Sequence, residues 1–473
     1  MTACPYVSLA ELSAQIRSGE ISPRELIEQR LARIEKVQPK LNAFVYVDAD
    51  GARREAQAAE QGLLRGDATG PLHGIPVTVK SCIDVAGWPC AAGSLLRKDH
   101  RPGSNAMLVS RLREAGAILL GNTNTPEFLM AYETDNLVSG KTSNPWNTEF
   151  SSGGSSGGEA AAIAAGCSAG GIGSDGGGSI RVPAHFCGIC GLKPTPGRIP
   201  SSGHYPAGNS AFGWLGVVGP MARTVGDLKI LFAALREPDG DRLSTVRTKA
   251  AAELPHPKMR PGAKLRIGIL EGDALGRVTP ETQMAVRQAA QLLAYRGFEL
   301  EPFRLSSLDR VLELWWFFFA TVISELFAEE IRGREELLSP IFCDYLAAAR
   351  RTTPQPMPML EFVRMCTERD QEREQILQAM RHVPILLSPV CAAPAFRHGE
   401  GSYKPPVGYR DTMRHSQWLN LAGFPGVSVP MGKSPEGLPI GVQLIGRPYQ
   451  DELALDVAEC LEKARGPWQA PPL

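Results

Sequence analysis

Two clusters of glycine and serine lie in one stretch, SSGGSSGGEAAAIAAGCSAGGIGSDGGGSIRVPA, at residues 151–184. The first is Gly153-Gly154-Ser155-Ser156-Gly157 and the second is Gly176-Gly177-Gly178-Ser179. Such a composition suits a flexible linker, a phosphate cradle or covalent chemistry. Linkers lack apolar content, whereas this segment contains EAAAIAAG, a good helix former, and then Ile172, Ile180 and Val182. Gly171-x-Gly173-x-x-Gly176 fits the dinucleotide fingerprint, which also needs an acidic residue about 20 positions on to hold the ribose. Residues 176–226 contain no Asp or Glu. Gly140-Lys141-Thr142 ends like a phosphate-binding loop, but Asp135 occupies the position of its first glycine. Serine chemistry is left. G-x-S-x-G occurs twice in overlapping register from Gly153, and in a Ser-His-Asp site the downstream partners would be His382, His398 or His415. A glycine-rich chain produces that pattern easily. No S-x-x-K occurs.

The elements around these residues alternate between strand and helix. Ser22-Pro23-Arg24-Glu25 opens a helix: Ser22 caps, Pro23 suits the first turn and Glu25 closes the capping box. Ile75-Pro76-Val77-Thr78-Val79-Lys80 alternates and is β-branched, so it predicts a strand with Thr78 and Lys80 on one face and Val77 and Val79 on the other. Residues 107–120 predict helix then strand, joined at Gly116, and 265–270 and 383–390 predict further strands. Thr279 and Pro280 open a helix that ends near Arg296 at Gly297. Residues 426–446 predict two strands about a Pro/Gly turn, and the charged, proline-rich 236–262 predicts a surface connection. Strands alternating with helices imply an α/β class.

The 473 residues are 43% hydrophobic, enough for a large core, and Lys plus Arg equals Asp plus Glu at 50 each. That balance argues against nucleic-acid binding through bulk charge. The N-terminus shows no basic region followed by an apolar run, so no signal peptide is expected and the localisation reads as cytoplasmic. Ten scattered cysteines include one C-x-x-C, Cys187 and Cys190, with no second pair to complete a zinc site; they read as small buried thiols. The most apolar run, 311–327, holds Glu313 and Glu325 and is short for a membrane span. It reads as a buried helix, or as a helix walling an apolar substrate pocket.

The long segment GGSSGGEAAAIAAGCSAGGIGSDGGGSIRVPAHFCGICGLKPTPGRIP resembles the signature region of the amidase signature family. HGIPVTVK (73–80), GAILLGNTNTPEF (116–128), GKTSNPWN (140–147), GWLGVVGPMARTVGDL (213–228) and NLAGFPGVSVPMG (420–432) are similar to its other blocks, while the likeness is weak over 240–380. The resemblance implies one domain with a central mixed β-sheet flanked by helices on both faces. Its parts would be an N-terminal helical region at 1–65, a catalytic core at 70–230, a substrate-pocket region at 240–380 and completing strands at 381–473. It implies hydrolysis of a small-molecule carboxamide through an acyl-enzyme, with Ser179 as nucleophile, Ser155 as proton relay after a cis peptide bond, and Lys80 as base. Gly176, Gly177, Gly178 and Ser179 would supply the oxyanion hole, Asp175 and Arg181 would hold the loop, and Leu129, Met130 and Tyr132 would line the acyl pocket. Arg181 is alternatively a partner for a substrate carboxylate. No metal or other cofactor, no nucleic acid and no membrane span are implied, and a homodimer is a common arrangement in the family.

The roles agree with elementary chemistry. A serine hydroxyl needs a base, and a lysine is one only when neutral, which requires a fall of roughly 3 units from its ordinary value of about 10.4. Burial provides such a fall. Within the family, glutaminase subunits of tRNA-dependent amidotransferases often carry Thr-Gly-Gly-Ser and then Gln after the arginine. Gly176 and Val182 stand at those positions here, favouring a stand-alone amidase over a glutaminase subunit. A Ser-His-Asp esterase and a non-catalytic binding protein are the remaining alternatives.

Overall fold

The computed structural model describes residues 4–473 apart from 68–69, 237–264, 271–277, 306, 353–356 and 404–407. The connection expected at 236–262 lies almost wholly outside the described residues. Thirteen strands are present among them: β1 (Phe44–Val47), β2 (Pro76–Lys80), β3 (Ile118–Thr123), β4 (Ser143–Asn144), β5 (Asn147–Ser151), β6 (Gly170–Asp175), β7 (Cys190–Lys193), β8 (Val217–Ala222), β9 (Arg266–Ile269), β10 (Glu299–Pro302), β11 (Ile385–Pro389), β12 (Gly426–Lys433) and β13 (Pro439–Gly446). Eleven of them form one mixed sheet in the order β1-β3-β2-β6-β8-β7-β12-β13-β11-β9-β10, and β4 pairs with β5 apart from it.

The sheet is flanked by helices whose ends follow local chemistry. The helix Pro23–Leu41 starts at the expected capping box of Ser22 and Glu25. The helix Met107–Glu114 stops before Gly116, which turns with φ +90° into β3. The helix Pro280–Tyr295 ends at Arg296 and Gly297, as the sequence predicts.

β2 lies between β3 and β6 and runs parallel to both. A strand covered on both faces has no solvent side, and all five residues of β2 are buried. The expected alternation therefore sorts two interiors. Val77 and Val79 enter the main apolar core. Thr78 and Lys80 face a buried polar cluster, where Thr78 Oγ1 donates to the carboxylate of Glu159 and lies 3.2 Å from Ser168 Oγ. In parallel sheets the carboxyl ends of neighbouring strands open onto shared loops, where sites are built. Lys80 closes β2, Thr123 closes β3 beside it, and Asp175 closes β6.

The apolar run is a buried helix, Leu308–Trp316, that passes into a wider π turn over Phe317–Val322. Residues Leu308–Ile331 are long and apolar enough to cross a membrane, yet 67% of the apolar window is buried inside the protein.

Candidate active site

Lys80 reaches from the end of β2 into the cluster, where its Nζ donates to Ser155 Oγ at 2.7 Å and to Ser174 Oγ at 3.1 Å. It is wholly buried. Burial lowers its pKa to about 8, against the opposing pull of Cys82, Asp175 and Glu159. Ser155 follows a cis peptide bond, as the resemblance implies, and its carbonyl accepts from Thr125 Oγ1 at 2.8 Å. The neighbouring Ser156 is engaged elsewhere: its Oγ donates to the Ser174 carbonyl at 3.2 Å and accepts from the Ser174 amide at 3.3 Å. The Ser156 amide donates to the Ser179 carbonyl at 3.1 Å, which joins the two glycine–serine clusters. Ser179 is 9% exposed, against 0% for Lys80 and 1% for Ser155, so access from outside arrives at Ser179 first.

The loop from β6 to the short helix Arg181–Cys187 carries the glycines. Gly178 has φ +127°, a conformation that favours glycine. A Cβ on Gly177 would sit 2.3 Å from Trp315 Cζ2. The loop is braced from beneath by Asp175. Its carboxylate accepts from the Gly178 amide at 2.7 Å, the Ile180 amide at 3.1 Å and Arg181 Nε and Nη2 at 3.0 Å each. Burial alone would push this carboxyl up; Arg181 and the amides outweigh it and hold it well below the usual carboxylate range. Arg181 is fully buried and also donates to Gln443 Oε1 at 3.0 Å, the Ser416 carbonyl at 3.0 Å and Asn420 Oδ1 at 2.7 Å. Its donors are thus directed at groups of the protein. The Gly178 amide, expected at the oxyanion hole, is given to Asp175.

Of the three residues expected at the acyl pocket, Tyr132 has a defined task. Its hydroxyl donates to the Gly177 carbonyl at 2.7 Å and accepts from Gln417 Nε2 at 3.3 Å. Leu129 and Met130 are buried in the core, and the Met130 carbonyl accepts from Tyr403 Oη at 2.8 Å. Sequence reasoning passed over Ser174, the second partner of Lys80. It also passed over Glu159, fully buried, whose carboxyl is pushed up by burial to about 7 while Thr78 and Thr123 donate to it. Trp315, whose Nε1 donates to the Gly176 carbonyl at 3.0 Å, was visible only as part of the apolar run.

The three histidines that a Ser-His-Asp site would draw on do not engage these serines. His398 Nδ1 lies 2.8 Å from Glu133, and His382 is exposed. His415 is buried, its pKa lowered to about 3 by burial, with neither ring nitrogen hydrogen-bonded. Among the described residues no hydrogen bond joins a histidine to Ser155, Ser156 or Ser179. Cys187 and Cys190 are buried free thiols directed at the backbone carbonyls of Ser152 and Arg223.

Comparison with known proteins gives the chain's family. The amidase family model matches residues 25–455. A glutamyl-tRNA(Gln) amidotransferase subunit from Synechococcus sp. (strain CC9605) is 35% identical, over 95% of this chain and 94% of that protein. Among solved structures, a chain from a vestigial protein complex described as revealing the evolutionary origins of an s-triazine catabolic enzyme superimposes with a TM-score of 0.85 and 31% identity, covering 97% of this chain and 98% of that one. A fatty acid amide hydrolase superimposes with a TM-score of 0.85 and 25% identity, covering 98% and 86%. A buried lysine hydrogen-bonded to serine beneath a glycine-rich loop is thus found within a matching sequence frame, and the chain belongs to the amidase signature family of amide-cleaving enzymes.

Proposed function

We propose that the protein is a stand-alone amidase that hydrolyses apolar or aryl carboxamides through an acyl-enzyme on Ser179. The observation that carries the chemistry is the enclosed Lys80–Ser155 pair at 2.7 Å. Neutral Lys80 accepts the hydrogen of Ser155 as Ser155 accepts that of Ser179, and Ser179 Oγ attacks the amide carbon. The proton returns by the same route to the departing nitrogen, the C–N bond breaks, and ammonia or an amine leaves. Water, deprotonated along that route, then attacks the ester and frees the acid.

The side chains packed against the glycine loop support the substrate class. They are Tyr132, Trp315 and Phe212, whose ring lies 3.5 Å from where a Cβ on Gly176 would be. Free glutamine is a zwitterion, and burying its charges requires charged partners; an aromatic surround favours an uncharged acyl group. A second reading, the glutaminase component of a tRNA-dependent amidotransferase, has the 35% identity to a protein of that kind in its favour. The purified chain, assayed alone on aryl, alkyl and fatty amides and on L-glutamine, distinguishes them. Turnover of aryl or alkyl amides, lost in Ser179→Ala, is expected. Glutamine hydrolysis that appears only with partner subunits would replace the first reading by the second.

A further inference from the structure

We infer that Trp315 and Tyr132 are positioning residues that set the peptide planes of the oxyanion loop, whose open amides are those of Gly176, Gly177 and Ser179. This deepens the acyl-transfer reading above and rests on it.

The carbonyl and N–H of a trans peptide point in opposite directions, so a partner that holds one aims the other. The peptides of this loop are all trans. In Gly176–Gly177 the carbonyl accepts from Trp315 Nε1 at 3.0 Å, which turns the Gly177 N–H away from the indole. In Gly177–Gly178 the carbonyl accepts from Tyr132 Oη at 2.7 Å and the N–H goes to Asp175 at 2.7 Å. In Gly178–Ser179 the carbonyl accepts from the Val182 amide at 2.7 Å, which aims the Ser179 N–H. In Ser179–Ile180 the carbonyl accepts from the Ser156 amide at 3.1 Å and the N–H again goes to Asp175, at 3.1 Å. Asp175 therefore takes the amides of Gly178 and Ile180. No hydrogen bond among the described residues engages the amides of Gly176, Gly177 and Ser179, and the carbonyl before Gly176 is held in turn by Asn420 Nδ2 at 2.8 Å. An oxyanion site requires donors left open and held in orientation before the charge develops.

The two holders differ in origin. Tyr132 belongs to the segment that precedes the first glycine–serine cluster. Trp315 comes from the helix Leu308–Trp316, in the part of the chain least similar to the family's blocks. Its indole lies against Gly177 and stacks on Phe319 with centroids 4.5 Å apart. Glycine on both sides of the Gly176–Gly177 peptide offers no side-chain resistance to its rotation. The indole N–H supplies that resistance, so a residue outside the signature segment governs the transition state.

The test compares wild type with Trp315→Phe, with benzothienylalanine at position 315 (the bicyclic shape without the N–H) and with Tyr132→Phe. Each is assayed on an aryl amide, on a peptidyl-type aldehyde as a tetrahedral mimic and on the acid product, with thermal unfolding as the check on folding. Folded variants are expected to lose about 10- to 100-fold in kcat, a fraction of what deleting a whole oxyanion donor removes. KM and acid-product affinity should stay within about twofold while aldehyde affinity falls in step with kcat/KM. A folded benzothienylalanine variant with wild-type kcat, or one altered only in KM, overturns the inference alone. A wild type inert toward both amides and a fluorophosphonate overturns the acyl-transfer reading and this inference with it.

Discussion

Lys80 has the environment that a lysine base needs, and its protonation should be visible in the kinetics. Burial brings its pKa to about 8. Only the neutral amine accepts a proton, so kcat/KM is expected to rise with pH through a limb near 8 and level off above it. Lys80→Met should abolish turnover; survival of the same limb in the residual rate would remove Lys80 as the base. Glu159 gives the sign a second check. Its carboxylate raises the Lys80 pKa, so Glu159→Gln, which keeps one acceptor oxygen for the two threonines and offers an NH2 donor in place of the other, should move the limb to lower pH. A limb that stays in place or moves up would show that Glu159 does not act on Lys80 through charge. Linkage adds a stability effect. The unfolded chain's lysine titrates near 10.4, so between about 8 and that value the unfolded state binds more protons and stability rises with pH.

Asp175, the glycines and Arg181 behave as one element, a loop held by its own first residue. Asp175→Asn would leave the Arg181 guanidinium buried with its compensating charge gone, a loss of about 3–5 kcal/mol. The urea midpoint should fall accordingly, and kcat should fall with it because the Gly178 and Ile180 amides lose their ionic acceptor. An unchanged midpoint would mean that the loop is held by other contacts. This element also marks how much was legible beforehand. Local rules sufficed for the capped helix at Ser22, the turn at Gly116 and β2, because each depends on neighbours within a few residues. Lys80, Ser155 and Ser179 could be singled out only through the long signature around them; a lone lysine in a strand carries no signal of burial. Ser174 as a Lys80 partner depends on the register of β2 against β6, where Val79 faces Ile172, and no local pattern encodes that register. The Trp315 bond to Gly176 spans 139 positions and depends on how a helix docks. The bond of the Gly178 amide was hidden for a related reason: composition announces a turn, while the direction of each amide is settled by Asp175, Tyr132 and Val182.

At the scale of the molecule, the site is assembled across the sheet, and its stability should be shared with the sheet. β2 and β6 supply Lys80, Ser174 and Asp175, but the brace on Arg181 comes from the other end of the chain. Gln443 on β13 accepts from Arg181 Nη1 across 262 positions. The same side chain donates from Nε2 to Ser388 Oγ at 3.1 Å, the Pro389 carbonyl at 2.8 Å and the His415 carbonyl at 2.9 Å. It thereby links β11, β13, the glycine loop and the helix Arg414–Ala422, which also contributes Ser416 and Asn420 to Arg181. Replacing it by leucine, similar in size, leaves buried partners unsatisfied at roughly 1–3 kcal/mol. The prediction concerns coincidence as well as magnitude. In a urea titration of wild type, loss of activity and loss of far-UV circular dichroism should overlay, since no part of the site survives without both halves of the sheet. In Gln443→Leu both curves should move together to lower urea. A variant that loses activity well before its secondary structure would show instead that the catalytic loop opens as an independent unit, with Gln443 acting on that loop alone.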